Sequence, residues 1–203
     1  VRAGQPWRLI GNPMPIARTR VPDVVAAGLI PDPFTTPGAS DDAKVLAWKG
    51  KWNLPFYPDT WDGYEWARER LYSQARSAGV NDLVFLTGDS HSFWANRLAD
   101  AAGKPSGIEL GTAGITSPGD FIGSGFDPVT SAKLDRALEE HNPEVVWTDN
   151  LHQGYVRLVL ARSGAQADFV AVSSVTSRRY RTAVIKRFGL NRAAEGLALR
   201  PLQ

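Results

Sequence analysis

Leu83-Val84-Phe85-Leu86-Thr87-Gly88-Asp89-Ser90-His91-Ser92 is the stretch that decides the fold of this chain. Residues 82–87 carry a continuous apolar run, Leu83 to Leu86, without alternation, which predicts a strand buried on both faces. Gly88 permits the sharp turn that ends it. A carboxylate and an imidazole follow, two residues apart. In extended backbone, positions i and i+2 point the same way, so Asp89 and His91 are expected to converge on one small volume. Open α/β sheets bind ligands beyond the carboxyl ends of their strands. Oxygen with nitrogen donors suits iron, zinc, manganese or a mixed centre with calcium. Read alone, the same four residues from Gly88 to His91 also fit a turn closed by an Asx hydrogen bond.

Working outward, residues 64–78 carry Tyr64, Ala67, Leu71 and Ala75 at three- and four-residue spacing, which predicts a helix with one apolar face. Asp62 is its expected N-cap and Gly79 its end. Upstream, residues 6–11 predict a short buried strand. Residues 21–63 predict a long loop, with Trp48, Trp52 and Trp61 expected to anchor it against the body near the site. Downstream, residues 92–102 are expected to be helical, 108–114 a strand and 131–141 a helix. Residues 144–148, 154–161 and 167–175 are strand candidates, the last two joined by a hairpin turn at Arg162-Ser163-Gly164. The mixture implies an α/β or α+β class with a layered sheet core.

The chain has 203 residues and 43% hydrophobic composition, enough for one domain or part of a larger one. A net charge of +2 tolerates anionic substrates without demanding nucleic acid, and no specific nucleic-acid binding is expected. No run reaches the roughly 18 apolar residues of a membrane span. The start Val1-Arg2-Ala3-Gly4 does not begin a signal peptide and is read as a processed or cut end. Zero cysteines exclude disulfides, thiolate metal sites and a cysteine nucleophile. With three histidines, His91, His141 and His152, any metal site must lean on oxygen ligands.

Gly88-Asp89-Ser90-His91-Ser92-Phe93-Trp94-Ala95, after a buried strand, resembles the last metal-binding block of the calcineurin-like metallophosphoesterases, in the form of the alkaline phosphatase D (PhoD-like) family. Trp61-Asp62-Gly63-Tyr64 with Ala67-Arg68-Glu69-Arg70-Leu71 is similar to the helix before that block, and Gly111-Thr112-Ala113-Gly114-Ile115-Thr116-Ser117-Pro118-Gly119 to the block after it. Asn142-Pro143, Gly154-Tyr155 and Ala167-Asp168-Phe169 resemble the family's final strands. The resemblance implies a four-layer αββα sandwich, of which this chain supplies roughly one half, the carboxyl-terminal half. It also implies a two-metal centre, iron plus calcium, with zinc or manganese as alternatives, hydrolysis of phosphomonoesters or phosphodiesters, and a periplasmic or secreted location. By position, Asp89 matches a ligand of the calcium and His91 a ligand of the iron, which makes both the catalytic and metal candidates. The family's bridging aspartate, tyrosine and cysteine ligands and asparagine-bearing block come earlier in a full chain. The chain is therefore expected to work only with a second polypeptide carrying the upstream half, which would also bring most of the second sheet.

Further candidates are weaker. Asn12, after the first strand, offers a carbonyl oxygen that calcium accepts, or is simply a turn residue before Pro13. Arg18, Arg20 and Trp94 are substrate-binding candidates, the arginines through bidentate contacts to phosphate and Trp94 as part of the wall. Ser90 and Ser92 have no evident base partner, and a metal-activated hydroxide makes a serine nucleophile unnecessary. Asp149, Asn150 and His152 read as a capped turn more readily than as an extra metal site, and His141 as a helix-end residue. Residues 178–203 form a basic tail, read as a solvated face before an anion-binding one. The alternatives to a metal-dependent phosphatase are a phospholipase D-like phosphodiesterase on the same scaffold and a non-enzymatic anion-binding module.

Overall fold

The computed structural model describes residues 7–203. Pro6, expected in the first strand, and the Val1-Arg2-Ala3-Gly4 start lie outside them. The order is β1 (Arg8–Gly11), α1 (Asp41–Lys51), a 3-10 turn at Trp61–Gly63, α2 (Glu65–Ser77), β2 (Leu83–Thr87), β3 (Phe93–Ala99), β4 (Pro105–Gly111), α3 (Asp120–Gly123) and α4 (Pro128–His141). Strands β5 (Val145–Asp149), β6 (Gln153–Leu160), β7 (Ala165–Val172), β8 (Thr182–Ala193) and β9 (Gly196–Pro201) follow. The first sheet has the order β1-β2-β4-β3-β5, with β1, β2 and β4 parallel and β3 antiparallel to both its neighbours. The second is the antiparallel meander β6-β7-β8-β9.

Alternation along the first sheet separates two cores. Leu83, Phe85, Trp94 and Leu98 face the helices, where Tyr72 of α2, Leu134 and Leu138 of α4, Leu46 and Ala47 of α1, and Ile16 and Ala17 cover them. Val84, Phe93, Ala95, Ile108 and Leu110 face the other way, onto Phe169, Phe188, Leu190 and Leu199 of the second sheet. Each of those four is 0% exposed, and burying a side chain of this size contributes about 1.5–3 kcal/mol. The fold is a mixed α/β sandwich. Its second sheet comes from this chain itself, which corrects the expectation that the upstream half brings most of it. The basic segment is not a loose tail: it forms β8 and β9, and Arg187 and Arg192 are spent on Asp168 and Asp82.

Four other expectations are overturned. The segment at 92–102 is the strand β3, because β4 and β5 hydrogen-bond along its two edges. The 21–63 segment contains α1, opened by Ser40 accepting from the Ala43 amide at 3.1 Å. Trp48 and Trp52 on it are 53% and 61% exposed and belong to none of the buried clusters; of the three, Trp61 packs against the α2 side of the core. Asp62 does not cap α2. It is buried and accepts from the Thr19 amide at 3.2 Å, so it fastens the chain arriving from β1.

Candidate functional site

Parallel pairing brings the carboxyl ends of β1, β2 and β4 to one end of the sheet, and the antiparallel β3 begins there, where Phe93 faces Asp149 at the end of β5. Asn12, the Gly88–Ser92 turn, Thr112 and Asn150 therefore share this end. The amide of Asn12 donates to Leu86 O at 3.0 Å, which fixes its place beside the turn.

Asp89 and His91 do reach solvent together, but not through extended backbone. Both have left-handed φ, 69° and 53°, and the intervening Ser90 amide donates to Gly88 O at 2.8 Å. Ser90 and Ser92 point inward at 4% and 0% exposure, while Asp89 and His91 are exposed. Neither exposed side chain makes a hydrogen bond among the described residues. Trp94 Nε1 donates to Ser90 Oγ at 3.0 Å, and the Tyr57 hydroxyl reaches Ser90 O at 3.2 Å. Buried Ser92 lies against Asn150, which is held by Asp135 of α4. Burial pushes the Asp135 carboxyl up to about 7, against the pull of its Asn150 hydrogen bonds.

Asp120 is the site residue that sequence reading missed. It opens α3, the Tyr57 hydroxyl hydrogen-bonds to its carboxylate, and the charges of His91 and Asp89 bear on it, one lowering and one raising its pKa. Burial raises that carboxyl above its ordinary range, and burial with the Asp120 charge raises the Tyr57 phenol. A cleft of about 300 Å³ bounded by Lys49, Phe56, Tyr57, Asp120 and Phe121 opens beside them. Its sequence signal was only the run Ser117-Pro118-Gly119-Asp120, a helix-start pattern of no chemical specificity.

The other candidates fall elsewhere. Trp94 is 1% exposed and offers no surface to a substrate; it is the prop under Ser90. Arg18 faces Glu65 and Glu69 at 3.9 and 3.8 Å, and Arg20 pairs with Glu65 and with Asp62 at 3.6 Å. Both line a cleft with Ala99 and Asp100, at the opposite end of β3 from the turn, so they do not meet a phosphate held by Asp89 and His91. Asn12 is at the right end, but its Oδ1 already accepts from Trp61 Nε1 at 3.3 Å and its Nδ2 donates to Met14 O, which is turn chemistry. Asp149 caps the amides of Leu151 and His152 at 2.9 and 2.7 Å and holds the His152 ring at 2.8 Å. His141 ends α4 with its ring 2.8 Å from Asn53 Oδ1. Among the described residues no three His, Cys, Asp or Glu side chains gather closely enough to hold a metal ion.

The family model described as PhoD-like phosphatase matches residues 1–169. The chain belongs to the PhoD-like phosphatase family. Alkaline phosphatase D of Bacillus subtilis (strain 168) is 35% identical to this PhoD-like chain over 136 residues, 62% of this chain and 22% of that protein. A solved structure of PhoD aligns over 96% of this chain and 31% of its own, with a TM-score of 0.64 at 21% identity, which shows the fold. The chain thus spans about a fifth to a third of the length of the relatives it matches.

Proposed function

We propose that the assembled protein hydrolyses phosphate esters at a two-metal centre to which this chain contributes Asp89 and His91. The observation that carries the reading is the Gly88–Ser92 turn: it presents one carboxylate and one imidazole to solvent with no hydrogen bond among the described residues, while Ser90, Ser92 and Trp94 are tied down beneath it. The donor types fit iron, zinc, manganese or calcium. Their number does not complete a site, so the remaining donors are proposed to come from polypeptide outside these residues, in the same or a second chain. Asn12 stays a candidate for one further oxygen, through the second lone pair of Oδ1.

The metal pair supplies, when bound, Lewis-acid polarisation of the phosphoryl group and activation of water for in-line displacement. Asp89 and His91 would hold it at the common end of the strands. Tyr57 fixes Asp120 at the rim through its hydroxyl, and the cleft beside them has room for the organic part of an ester. Ser90 and Ser92 face the interior and present no nucleophile. Export to the periplasm or medium belongs to the same reading; among the described residues no helix is long and apolar enough to cross a membrane. Profiling monoesters, diesters and lipids separates a phosphatase from a phospholipase D-like enzyme.

The test is elemental analysis of the purified protein with Asp89→Asn and His91→Ala beside it. Each substitution is expected to lower bound metal and phosphate-ester hydrolysis together. Unchanged metal content and activity in both variants would sink the assignment.

A further inference from the structure

Beneath the turn, a line of buried polar groups runs out to α4. Asn150 is 0% exposed. Its amide N–H donates to Asp135 Oδ2 at 3.1 Å and its Nδ2 to Asp135 Oδ1 at 2.5 Å, so both carboxylate oxygens are engaged by one residue. The Asn150 Oδ1 in turn accepts from the hydroxyl of Ser92, also 0% exposed, which shares its single proton with Ser90 O at 3.1 Å. Ser90 and Ser92 are thereby held down, and Asp89 and His91 are held up in left-handed backbone. Residues other than glycine keep that conformation only where the surroundings enforce it.

A second contact comes from the loop that carries Asp120. A Cβ at Gly119 would lie 1.7 Å from Asn150 O, so the Gly119 backbone rests directly on the backbone of Asn150. Asp120 is the next residue. The same asparagine therefore supports the turn from below and the rim carboxylate from the side.

We propose that Asn150 is a positioning residue of the site: by linking Asp135 to Ser92 and shelving Gly119, it sets the geometry in which Asp89 and His91 meet a metal ion and Asp120 stands at the rim. The inference rests on the assignment of Asp89 and His91 as ligands. A side chain that only filled space would be indifferent to whether a donor faces an acceptor. A positioning link is not.

That difference gives the experiment. Asn150→Asp sets two carboxylates against each other and removes the donor. The double exchange Asp135→Asn/Asn150→Asp again places a donor against an acceptor at each contact: the side-chain pair reverses its roles, while the residue 150 amide and the Ser92 hydroxyl still donate. The metal-free full chain is read by NMR, using the amide couplings and shifts of residues 89 and 91, which report left-handed φ, and the His91 ring signals. Binding of zinc ion alone is measured by calorimetry. Asn150→Asp is expected to move the turn signals and to weaken zinc binding about 10-fold, the usual scale for a residue that orients ligands. The double exchange is expected to restore both. A folded Asn150→Asp protein with unchanged turn signals and zinc affinity overturns the proposal. So does a double exchange that restores the melting temperature but not the turn. If Asn150→Asp does not fold, Ser92→Ala, which removes one hydroxyl, is read by the same spectra, and an unmoved turn there overturns it equally. The turn signals are recorded without metal, so they decide the proposal even where two donors alone hold zinc ion too weakly to measure; the proposed function stands or falls separately, on the metal content of the assembled protein.

Discussion

Replacing Glu144 by leucine should remove a large part of the stability of this fold, and replacing its partner as well should return most of it. Arg68 on α2 is 0% exposed, and its Nη2 donates to both oxygens of Glu144 at 2.5 and 2.7 Å and to Ala99 O at 3.2 Å. Glu144 also accepts from the Arg18 amide at 3.0 Å, so it clamps the chain that crosses from Asn12 over the helix-facing side of the sheet. Burial raises the Glu144 carboxyl above its ordinary range although Arg68 pulls it down, which means that desolvation outweighs the attraction. A pair of this kind adds little net stability, but losing one member leaves a buried charge uncompensated, at about 3–5 kcal/mol. Glu144→Leu is therefore expected to destabilise by about 4 kcal/mol, a fall of about 2 M in the urea midpoint for a slope near ~2 kcal/mol/M. Arg68→Met/Glu144→Leu should lose only about 1–2 kcal/mol, most of it from the stranded Arg18 amide. Equilibrium urea unfolding of the three proteins checks this. A single variant within about 1 kcal/mol of the parent, or a double variant as unstable as the single, would refute the reasoning.

Asp135, raised from 3.8 to about 7, binds a proton more tightly in the folded chain than in the unfolded one. Its stabilising contribution is thus whole below pH 3.8 and is lost as pH rises through about 7. Relative to Asp135→Asn, the parent should lose on the order of 4 kcal/mol across that window, read as urea midpoints against pH; parallel profiles would rule it out. Gly119→Ala should destabilise by about 3 kcal/mol, because its methyl would sit 1.7 Å from Asn150 O, whereas Gly123→Ala, meeting only Pro118 Cγ at 3.4 Å, should stay within about 0.5 kcal/mol of the parent. Equal thermal shifts for the two glycine variants would contradict the packing.

The residues whose structure follows from their own neighbourhood were legible in the sequence. Leu83–Thr87 declares itself by continuous apolarity, Glu65–Ser77 by its helical spacing, and Gly88-Asp89-Ser90-His91 by a strand end with two donors of metal-binding type. Phe93–Ala99 misleads because Trp94, Ala95 and Leu98 also fit a helical period; it is a strand only because β4 and β5 hydrogen-bond to its edges. Asp41–Lys51 hides between proline- and glycine-rich runs, although Ala43, Leu46, Ala47 and Gly50 mark a buried helical face. What tertiary structure alone decides is which distant groups stand under the turn. Asn150 and Ser92 are 58 positions apart, Tyr57 and Asp120 63, and no local pattern relates them. The same holds for the φ of Asp89 and His91. The sequence names the two donors, but their direction depends on buried partners that only the folded chain path brings beneath them.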